Sequence, residues 1–269
     1  MSYLTIHLIS DLFLGYNEFS YEEERIPDVD LVILNGNNGA IKRSMLYAET
    51  LCKKYPTTQF VCNYGETELY SCMADKNMNE IRDKTLKRQI SNTTWPTNLH
   101  YQYGTNMIIE CRGNKKIDIL TLYGFPKIIT YTGDWKDTIW YKYYPKEVSY
   151  DLVKNVFKPD TTSDVRHGAI GIPADLEHIN HLYQDEFNLA KKWEITNNGC
   201  YKILVTHINP LQDLRLSTQK YSPFNIHLDK TGTWLTANNE CNGVRFVGGK
   251  LYANPGRGID KRNKIITIG

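Results

Sequence analysis

Apolar residues in the first third of the chain form two kinds of pattern in alternation. Short, nearly unbroken apolar runs, typical of buried strands, lie at 3–10, 30–35 and 59–62. Apolar residues at helical spacing predict helices over 41–55 and over the charge-rich stretch 68–89. Strands that alternate with helices favour a mostly parallel sheet covered by helices. The pattern therefore predicts an α/β protein.

The later part of the chain adds hairpins to this alternation. Two apolar runs, 106–111 and 116–122, flank Gly113-Asn114, which is a typical hairpin turn. A helix is predicted over 173–194, with a proline near its start. The remaining apolar runs predict strands at 201–206 and 234–235, a hairpin over 243–253 around Gly248-Gly249, and a final strand at 265–268.

The stretch 131–165 departs from both patterns and is rich in aromatic residues. We interpret residues 1–269 as a single domain and this stretch as an insertion over one edge of it. Trp and Tyr are enriched at protein interfaces, so the insertion is a candidate surface for a protein partner. The alternative is that its rings only cover a sheet edge or the mouth of a site. The aromatic residues concerned are Trp135, Trp140, Tyr141, Tyr143 and Tyr144.

Composition narrows the class of protein. With 269 residues, of which 41% are hydrophobic and 23% charged, the chain has the composition of an ordinary soluble globular protein. A formal net charge of +2 gives no electrostatic support for a nucleic-acid partner. No apolar run approaches the roughly 18 residues of a membrane span, so no membrane association is expected.

The six cysteines bear on the compartment. They form no CxxC pair, and several lie within apolar runs, which indicates buried free thiols. Free thiols persist in a reducing compartment, and the chain begins without a signal-like segment, so we expect a cytoplasmic protein. Abundant Tyr, Asn, Lys and Ile are typical of AT-rich coding, as in many viruses and some bacteria. If the protein is viral, the expected location is the host cytoplasm.

Polar clusters follow five of the predicted strands, at the point where each strand ends. The carboxyl ends of parallel strands meet at one edge of a sheet, where such folds place their binding crevice. A turn at Asn254-Pro255-Gly256 follows the last cluster. The clusters are Ser10-Asp11-Leu12-Phe13, Gly36-Asn37-Asn38-Gly39, Asn63-Tyr64-Gly65-Glu66, Val205-Thr206-His207 and Ala237-Asn238-Asn239-Glu240.

The order and spacing of these clusters resemble the calcineurin-like metallophosphoesterases over nearly the whole chain. The resemblance is strongest at 31–39, 203–210 and 246–256. It implies a four-layer α/β/β/α sandwich. In that family the strand ends carry Asp-x-His, Gly-Asp, Gly-Asn-His-Asp/Glu, a further His and Gly-His-x-His. These residues hold two metal ions, which clamp the phosphate and the attacking hydroxide.

Most of the ligands that the resemblance implies are replaced in this chain. Asp11 and His207 match family ligands, and Glu66 keeps an acidic position. Phe13 stands where the family has His, and Asn37 replaces the bridging Asp. Tyr64 replaces the ligand Asn, and Gly65 replaces the His that is usually assigned as the general acid. Ala237, Asn238 and Glu240 take the places of Gly, His and His.

These replacements oppose a two-metal centre for physical reasons. Two dications about 4 Å apart repel each other by on the order of 15 kcal/mol, even at an effective dielectric constant near 20. A bridging carboxylate screens this repulsion, and the neutral Asn37 does not. The Phe13 side chain has no lone pair with which to bind a metal ion, and Gly65 has no side chain to donate a proton to the leaving group. The sequence therefore predicts a catalytically degenerate protein that acts by binding or scaffolding, with no cofactor.

A reduced site is the alternative. Asp11, Asn37 and Glu240, with His207 and Asn238 beside them, could hold one Mg²⁺ or Mn²⁺ ion, since these ions prefer oxygen ligands. The chain would then be a divergent phosphodiesterase or nuclease, and so a metal-dependent hydrolase. The opposing interpretation is that these side chains cap loops and helix starts through hydrogen bonds.

Overall fold

The computed structural model describes residues 3–12, 14, 26–39, 41–65, 68, 95–101, 104–124, 176–207, 232–237, 243–247, 249–255 and 264–269. These residues contain two α-helices, α1 (Ile41–Lys54) and α2 (Leu176–Ile195), and one 3₁₀ turn at Arg112–Asn114. The strands are β1 (Leu4–Ile9), β2 (Leu31–Asn35), β3 (Gln59–Asn63), β4 (Leu99–Tyr101), β5 (Thr105–Cys111), β6 (Lys115–Leu122), β7 (Tyr201–Thr206), β8 (Thr233–Leu235), β9 (Gly243–Val247), β10 (Lys250–Asn254) and β11 (Lys264–Ile268).

The predicted elements that fall on described residues are confirmed, and their ends agree to within one residue except at the start of α2. The short strand β4 was not predicted. Both the helix predicted over 68–89, apart from Glu68, and the aromatic stretch 131–165 lie outside the described residues.

The strands form two sheets, not the single sheet that the alternation of elements suggests. The first sheet has the order β11-β1-β2-β3-β4, in which β1 to β4 are parallel and β11 is antiparallel. The second has the order β5-β6-β7-β8-β10-β9, with a parallel centre and antiparallel strands at both edges. Each hairpin therefore adds an antiparallel strand to the edge of a parallel sheet.

Alternate residues of the central strands point to two different cores. In β2, Leu31 and Ile33 lie in the core between the sheets, and Val32 and Leu34 belong to the core that includes the helices. In β7, Val205 faces the inner core. Helix α1 contacts β3 and β4, and α2 contacts β6. Because successive side chains of a strand point to opposite faces, the sheets pack on each other and a helix covers each outer face. The four-layer α/β/β/α sandwich is confirmed.

The amino ends of the two sheets are joined around Asp30, at the start of β2. Its carboxylate accepts hydrogen bonds from the backbone nitrogen and the hydroxyl of Thr5 at 2.9 and 3.0 Å. Lys115, the first residue of β6 in the other sheet, donates to the same carboxylate at 3.0 Å. Burial by itself raises the pKa of Asp30, but the hydrogen bonds from Thr5 and Lys115 outweigh it, so the pKa lies below its usual value.

Neither described helix has the length and apolar character that crossing a lipid bilayer requires.

Candidate functional site

The carboxyl ends of the two sheets meet at one edge, where side-chain amides join them. Asn35, the last residue of β2, donates through Nδ2 to the carbonyl of Thr206 in β7 at 2.9 Å. Asn63, the last residue of β3, donates to the carbonyl of Leu122 in β6 at 2.8 Å and to Asn35 Oδ1 at 3.0 Å. Both asparagines are fully buried, so these bonds fix the distance between the strand ends of the two sheets.

Asp11 and Asn37 lie together at this edge, as the sequence predicts. Asn37 Nδ2 donates to Asp11 Oδ1 at 3.0 Å, and Asp11 N donates to the carbonyl of Gly36 at 3.0 Å. Both residues are buried and both have a left-handed backbone with φ of 55°. Left-handed backbone is uncommon for residues other than glycine, although Asn and Asp tolerate it best. The fold thus holds this pair in a strained conformation.

The orientation of the Asn37 amide limits what the pair can bind. Its nitrogen faces the Asp11 carboxylate, and its Oδ1 lies toward Gly65, 2.6 Å from where a Cβ on that glycine would be. A cation between Asp11 and Asn37 would require the amide oxygen, not the nitrogen, to face the carboxylate. In this arrangement a side-chain hydrogen bond joins the two residues.

His207, at the end of β7, is also at this edge and is fully buried. Its Nδ1 donates to the carbonyl of Asn35 at 2.8 Å, which places a ring proton on Nδ1. The ring stacks on Tyr123, with centroids 5.8 Å apart. A Cβ on Gly36 would lie 2.6 Å from Nδ1. Asp11 and His207 thus both lie against Gly36, on opposite sheets.

Two glycines allow the loops after β2 and β3 to approach each other. A Cβ on Gly65 would lie 2.4 Å from the backbone nitrogen of Asn37, and a Cβ on Gly36 would lie 2.6 Å from the backbone nitrogen of Gly65. Real Cβ atoms do not approach backbone this closely, so neither loop has room for a side chain there. In particular, the histidine that the family places at position 65 does not fit between these loops.

Glu68 is the main residue of the edge that the sequence analysis missed. Its carboxylate accepts three backbone hydrogen bonds: Asn37 N and Gly65 N donate to Oε2 at 2.8 and 3.0 Å, and Asn38 N donates to Oε1 at 2.9 Å. The side chain is fully buried. Burial raises the pKa of Glu68 above its usual value, although the three amides and the nearby His207 oppose this shift. Glu68 thus ties the β2 and β3 loops together.

A second buried glutamate has a similar place on the other sheet. Glu186 of α2 accepts from the backbone nitrogens of Tyr123 and Gly124 at 2.8 and 3.0 Å, directly after β6. Buried carboxylates therefore cap backbone amides beyond the strand ends of both sheets. Neither glutamate belongs to the clusters that carry the family resemblance.

Of the remaining predicted site residues, four lie outside the described part of the chain. Ala237 is described and fully buried. Among the residues that the structure describes, no three His, Cys, Asp or Glu side chains lie close enough to hold one metal ion. The Asn37 amide directs its nitrogen toward the Asp11 carboxylate, and three backbone N–H groups donate to the Glu68 carboxylate. The described residues therefore do not fit a two-metal centre. The predicted residues that lie outside the described part of the chain are Phe13, Glu66, Asn238 and Glu240.

Known proteins offer likeness in structure but not in sequence. No family model matches the chain, and no curated protein matches it. The phosphopantetheinyl hydrolase of Mycobacterium tuberculosis superposes with a TM-score of 0.55 and 13% identity, over 96% of this chain and 90% of that one. A Staphylococcus aureus protein assigned as a 5'-nucleotidase gives a TM-score of 0.47 and 12% identity, and the chain spans 53% of its length.

Identity this low supports a conclusion about architecture only. The match to the phosphopantetheinyl hydrolase covers nearly all of both chains, and it agrees with the two sheets and two helical layers described above. The chain has a four-layer α/β/β/α sandwich of the metallophosphoesterase type.

Proposed function

We propose that this protein is a catalytically degenerate member of the metallophosphoesterase fold that acts by binding or scaffolding. The observation that carries the proposal is the hydrogen bond from Asn37 Nδ2 to Asp11 Oδ1 at 3.0 Å. The family resemblance places a bridging carboxylate at position 37 and a metal ligand at position 11. Here the amide satisfies the carboxylate directly, so Asp11 does not need a cation to be buried.

The environment of Gly65 supports the same proposal. The resemblance places the general acid at this position, and a side chain there would collide with the backbone of Asn37. Recovery of that group would require the β2 and β3 loops to separate. Glu68 opposes such a separation because its carboxylate is bonded to both loops.

Hydrolysis of bis-p-nitrophenyl phosphate with Mn²⁺ tests the proposal. Purified protein should show no turnover that depends on Asp11, so the wild type and Asp11→Ala should give the same background rate. Turnover by the wild type that Asp11→Ala abolishes would overturn the proposal. Asp28→Ala serves as the control, since Asp28 is an exposed aspartate at the opposite edge of the sheet.

The partner surface proposed for a binding role is the aromatic stretch, with Trp135 and Trp140 as its largest side chains. Its support is compositional, since Trp and Tyr are enriched at interaction hot spots. Mass photometry of the protein purified from its native host tests the proposal. Deletion of 131–150 should abolish any assembly and leave the circular dichroism spectrum unchanged. An assembly of unchanged mass after the deletion would count against this surface.

The second candidate is a phosphodiesterase that uses a single Mg²⁺ or Mn²⁺ ion. The observation in its favour is that Asp11 and His207, the two retained family ligands, both lie against Gly36. It requires the Asn37 amide to turn its oxygen toward Asp11. Calorimetric titration with Mn²⁺ distinguishes the candidates: binding that Asp11→Ala removes supports this one, and absence of binding at millimolar Mn²⁺ removes it.

A further inference from the structure

The two sheets differ by one strand, and the bonds between them show which strand is left uncovered. Asn35 at the end of β2 bonds to β7, and Asn63 at the end of β3 bonds to β6. Because β2 and β3 are neighbours, as are β7 and β6, these bonds set how the sheets face each other. The strands β4, β3, β2, β1 and β11 then lie opposite β5, β6, β7, β8 and β10. Among the strands that the structure describes, none lies opposite β9.

The inward-facing residues of β9 are correspondingly exposed. Val244 and Phe246 pair with Ala253 and Leu251 of β10 in antiparallel register. Paired residues of neighbouring strands point to the same face of a sheet, and Ala253 and Leu251 belong to the core between the sheets. Both residues of β10 are buried, but Val244 is 42% and Phe246 75% exposed. The cover that the first sheet provides therefore ends after β10.

The opposite edge of the same sheet does not share this feature. Ile109 and Cys111 of the edge strand β5 face the core between the sheets and are buried. Ile108, which is exposed, lies between inward-facing residues of β5 and so points to the outer face. An uncovered inner face thus distinguishes β9 from the other edge strand of its sheet.

Strand β11 offers backbone groups beside this uncovered face. It pairs with β1 on one side, and no described strand pairs with it on the other. The open side of an edge strand carries N–H and C=O groups that can pair with a further strand. In β11, Ile266 is buried between the sheets, whereas Ile265 and Thr267 are exposed. A strand added to β11 would lie opposite β9, with every second side chain toward Val244 and Phe246.

The charge of this region indicates which kind of strand fits. Residues 243–269, which include β9, β10 and β11, contain six Lys or Arg and one Asp, so they carry a net charge of +5, whereas the whole chain carries +2. A second copy of the chain would bring the same positive charge to the contact, which opposes self-association through this edge. An acidic segment would instead be attracted to it.

We propose that an extended acidic segment of a partner protein adds to β11 as a sixth strand of the first sheet. Its apolar residues, at alternate positions, cover Val244 and Phe246, and its acidic residues lie between them. In strand addition, main-chain hydrogen bonds provide the affinity and alternate side chains provide the specificity. This surface is separate in sequence from the aromatic stretch 131–165, and it does not depend on whether the protein hydrolyses phosphate.

A peptide of alternating valine and glutamate, longer than β11 by one residue at each end, tests the proposal with the full-length protein. Fluorescence anisotropy should show saturable binding, at least about tenfold tighter than that of the same peptide with lysine in place of glutamate. Added salt should weaken the binding. The backbone amide NMR signals that shift on binding should belong to β9 and β11.

Two variants and a modified peptide separate strand addition from general adhesion. Phe246→Ser removes an exposed ring and should weaken binding at least about tenfold. Ile108→Ser is the matched control, since it removes an exposed apolar side chain from the opposite edge of the same sheet and should leave binding unchanged. A peptide methylated at all its backbone nitrogens keeps its side chains but cannot donate to β11, so it should not bind.

The proposal is overturned if the acidic peptide does not bind, or if Phe246→Ser and Ile108→Ser weaken its binding equally. It is also overturned if the methylated peptide binds as well as its parent. Sedimentation velocity of the protein alone tests the other occupant of this edge. A dimer that Phe246→Ser dissociates would replace the acidic segment by a second copy of this chain.

Discussion

The side-chain amide of Asn37 donates to the carboxylate of Asp11 across 3.0 Å, and both residues are held in left-handed backbone below the surface. Each residue comes from the end of a different parallel strand, so the contact depends on the register of β1 and β2. The bond gives Asp11 a neutral partner at the place where the family resemblance would give it a cation.

Replacement of the Asn37 amide by a carboxylate should destabilise the protein. In Asn37→Asp the donor is lost and two buried carboxylates lie about 3 Å apart, which should cost roughly 3 kcal/mol or more near pH 7. The loss should shrink toward pH 4, because one carboxyl then takes up a proton. Urea denaturation in the presence of a chelator measures the free energy of unfolding.

Asn37→Ala is the control for that variant, since it removes the same hydrogen bond without adding charge. It should lose about 1–2 kcal/mol near pH 7. If Asn37→Asp is as stable as the wild type in chelator, Asn37 does not act as the neutral partner of Asp11.

Gly65→Ala should destabilise the folded protein far more than Gly232→Ala. The Cβ of Gly65→Ala would lie 2.4 Å from Asn37 N, so the β2 and β3 loops must move apart, at a cost of roughly 2–3 kcal/mol. At Gly232 the nearest atom is the Tyr201 hydroxyl at 3.4 Å, an ordinary contact, and neither glycine has a left-handed backbone. Thermal or urea unfolding of the two variants measures the difference. Equal stabilities would show that the loops are not closed on each other.

Much of this fold could be predicted from the sequence, because buried parallel strands leave unbroken apolar runs. Leu31–Asn35 and Tyr201–Thr206 are such runs, and both were predicted from their composition. The strand Leu99–Tyr101 was not predicted, since three residues with a central histidine carry no periodic signal. The division into two sheets also does not follow from the alternation of elements. It came from the family resemblance.

Acid should remove the stability that Asp30 contributes. Its pKa is lowered in the folded protein, so the contribution is fully present above the unfolded-state value of about 4 and is lost as the pH falls through the folded-state value. Asp30→Asn should therefore cost roughly 1–3 kcal/mol at pH 7 and less at pH 3. Asp28→Asn is the control, because this aspartate is 91% exposed and pairs with Arg112 at the surface. It should change stability little at either pH. A loss from Asp30→Asn that is independent of pH would contradict the predicted linkage.

The cysteines should differ in their reactivity in the folded protein. Cys52, Cys62 and Cys111 are buried free thiols, as the sequence predicts, and Cys200 is partly exposed. Burial raises the pKa of Cys111 to about 12 and raises those of Cys52 and Cys62 as well, so little thiolate is available at neutral pH. Pulse labelling with a maleimide, followed by peptide mass spectrometry, should modify Cys200 long before the other three. In urea all four should be labelled. Equal rates in the folded protein would contradict the buried core around α1 and β3.

The candidate site could be predicted from the sequence only in part. The convergence of Asp11, Asn37 and His207 follows from the rule that parallel strands end at a common edge. The part played by Glu68 could not be found in this way, because it depends on a side chain that reaches the β2 loop from beyond β3. The contact through Asn35 and Asn63 could have been predicted, since each is a polar residue at the end of a mostly apolar strand. The side-chain amide of each residue joins one sheet to the other.

The most direct test of the central claim is an anomalous-difference measurement on crystals soaked in millimolar Mn²⁺, at an X-ray energy just above the manganese absorption edge. We predict no manganese peak within coordination distance of Asp11, with the Asn37 amide nitrogen still bonded to its carboxylate. A manganese peak coordinated by Asp11, with the Asn37 oxygen or His207 Nε2 as a further ligand, would contradict the claim that Asn37 replaces the metal at this edge.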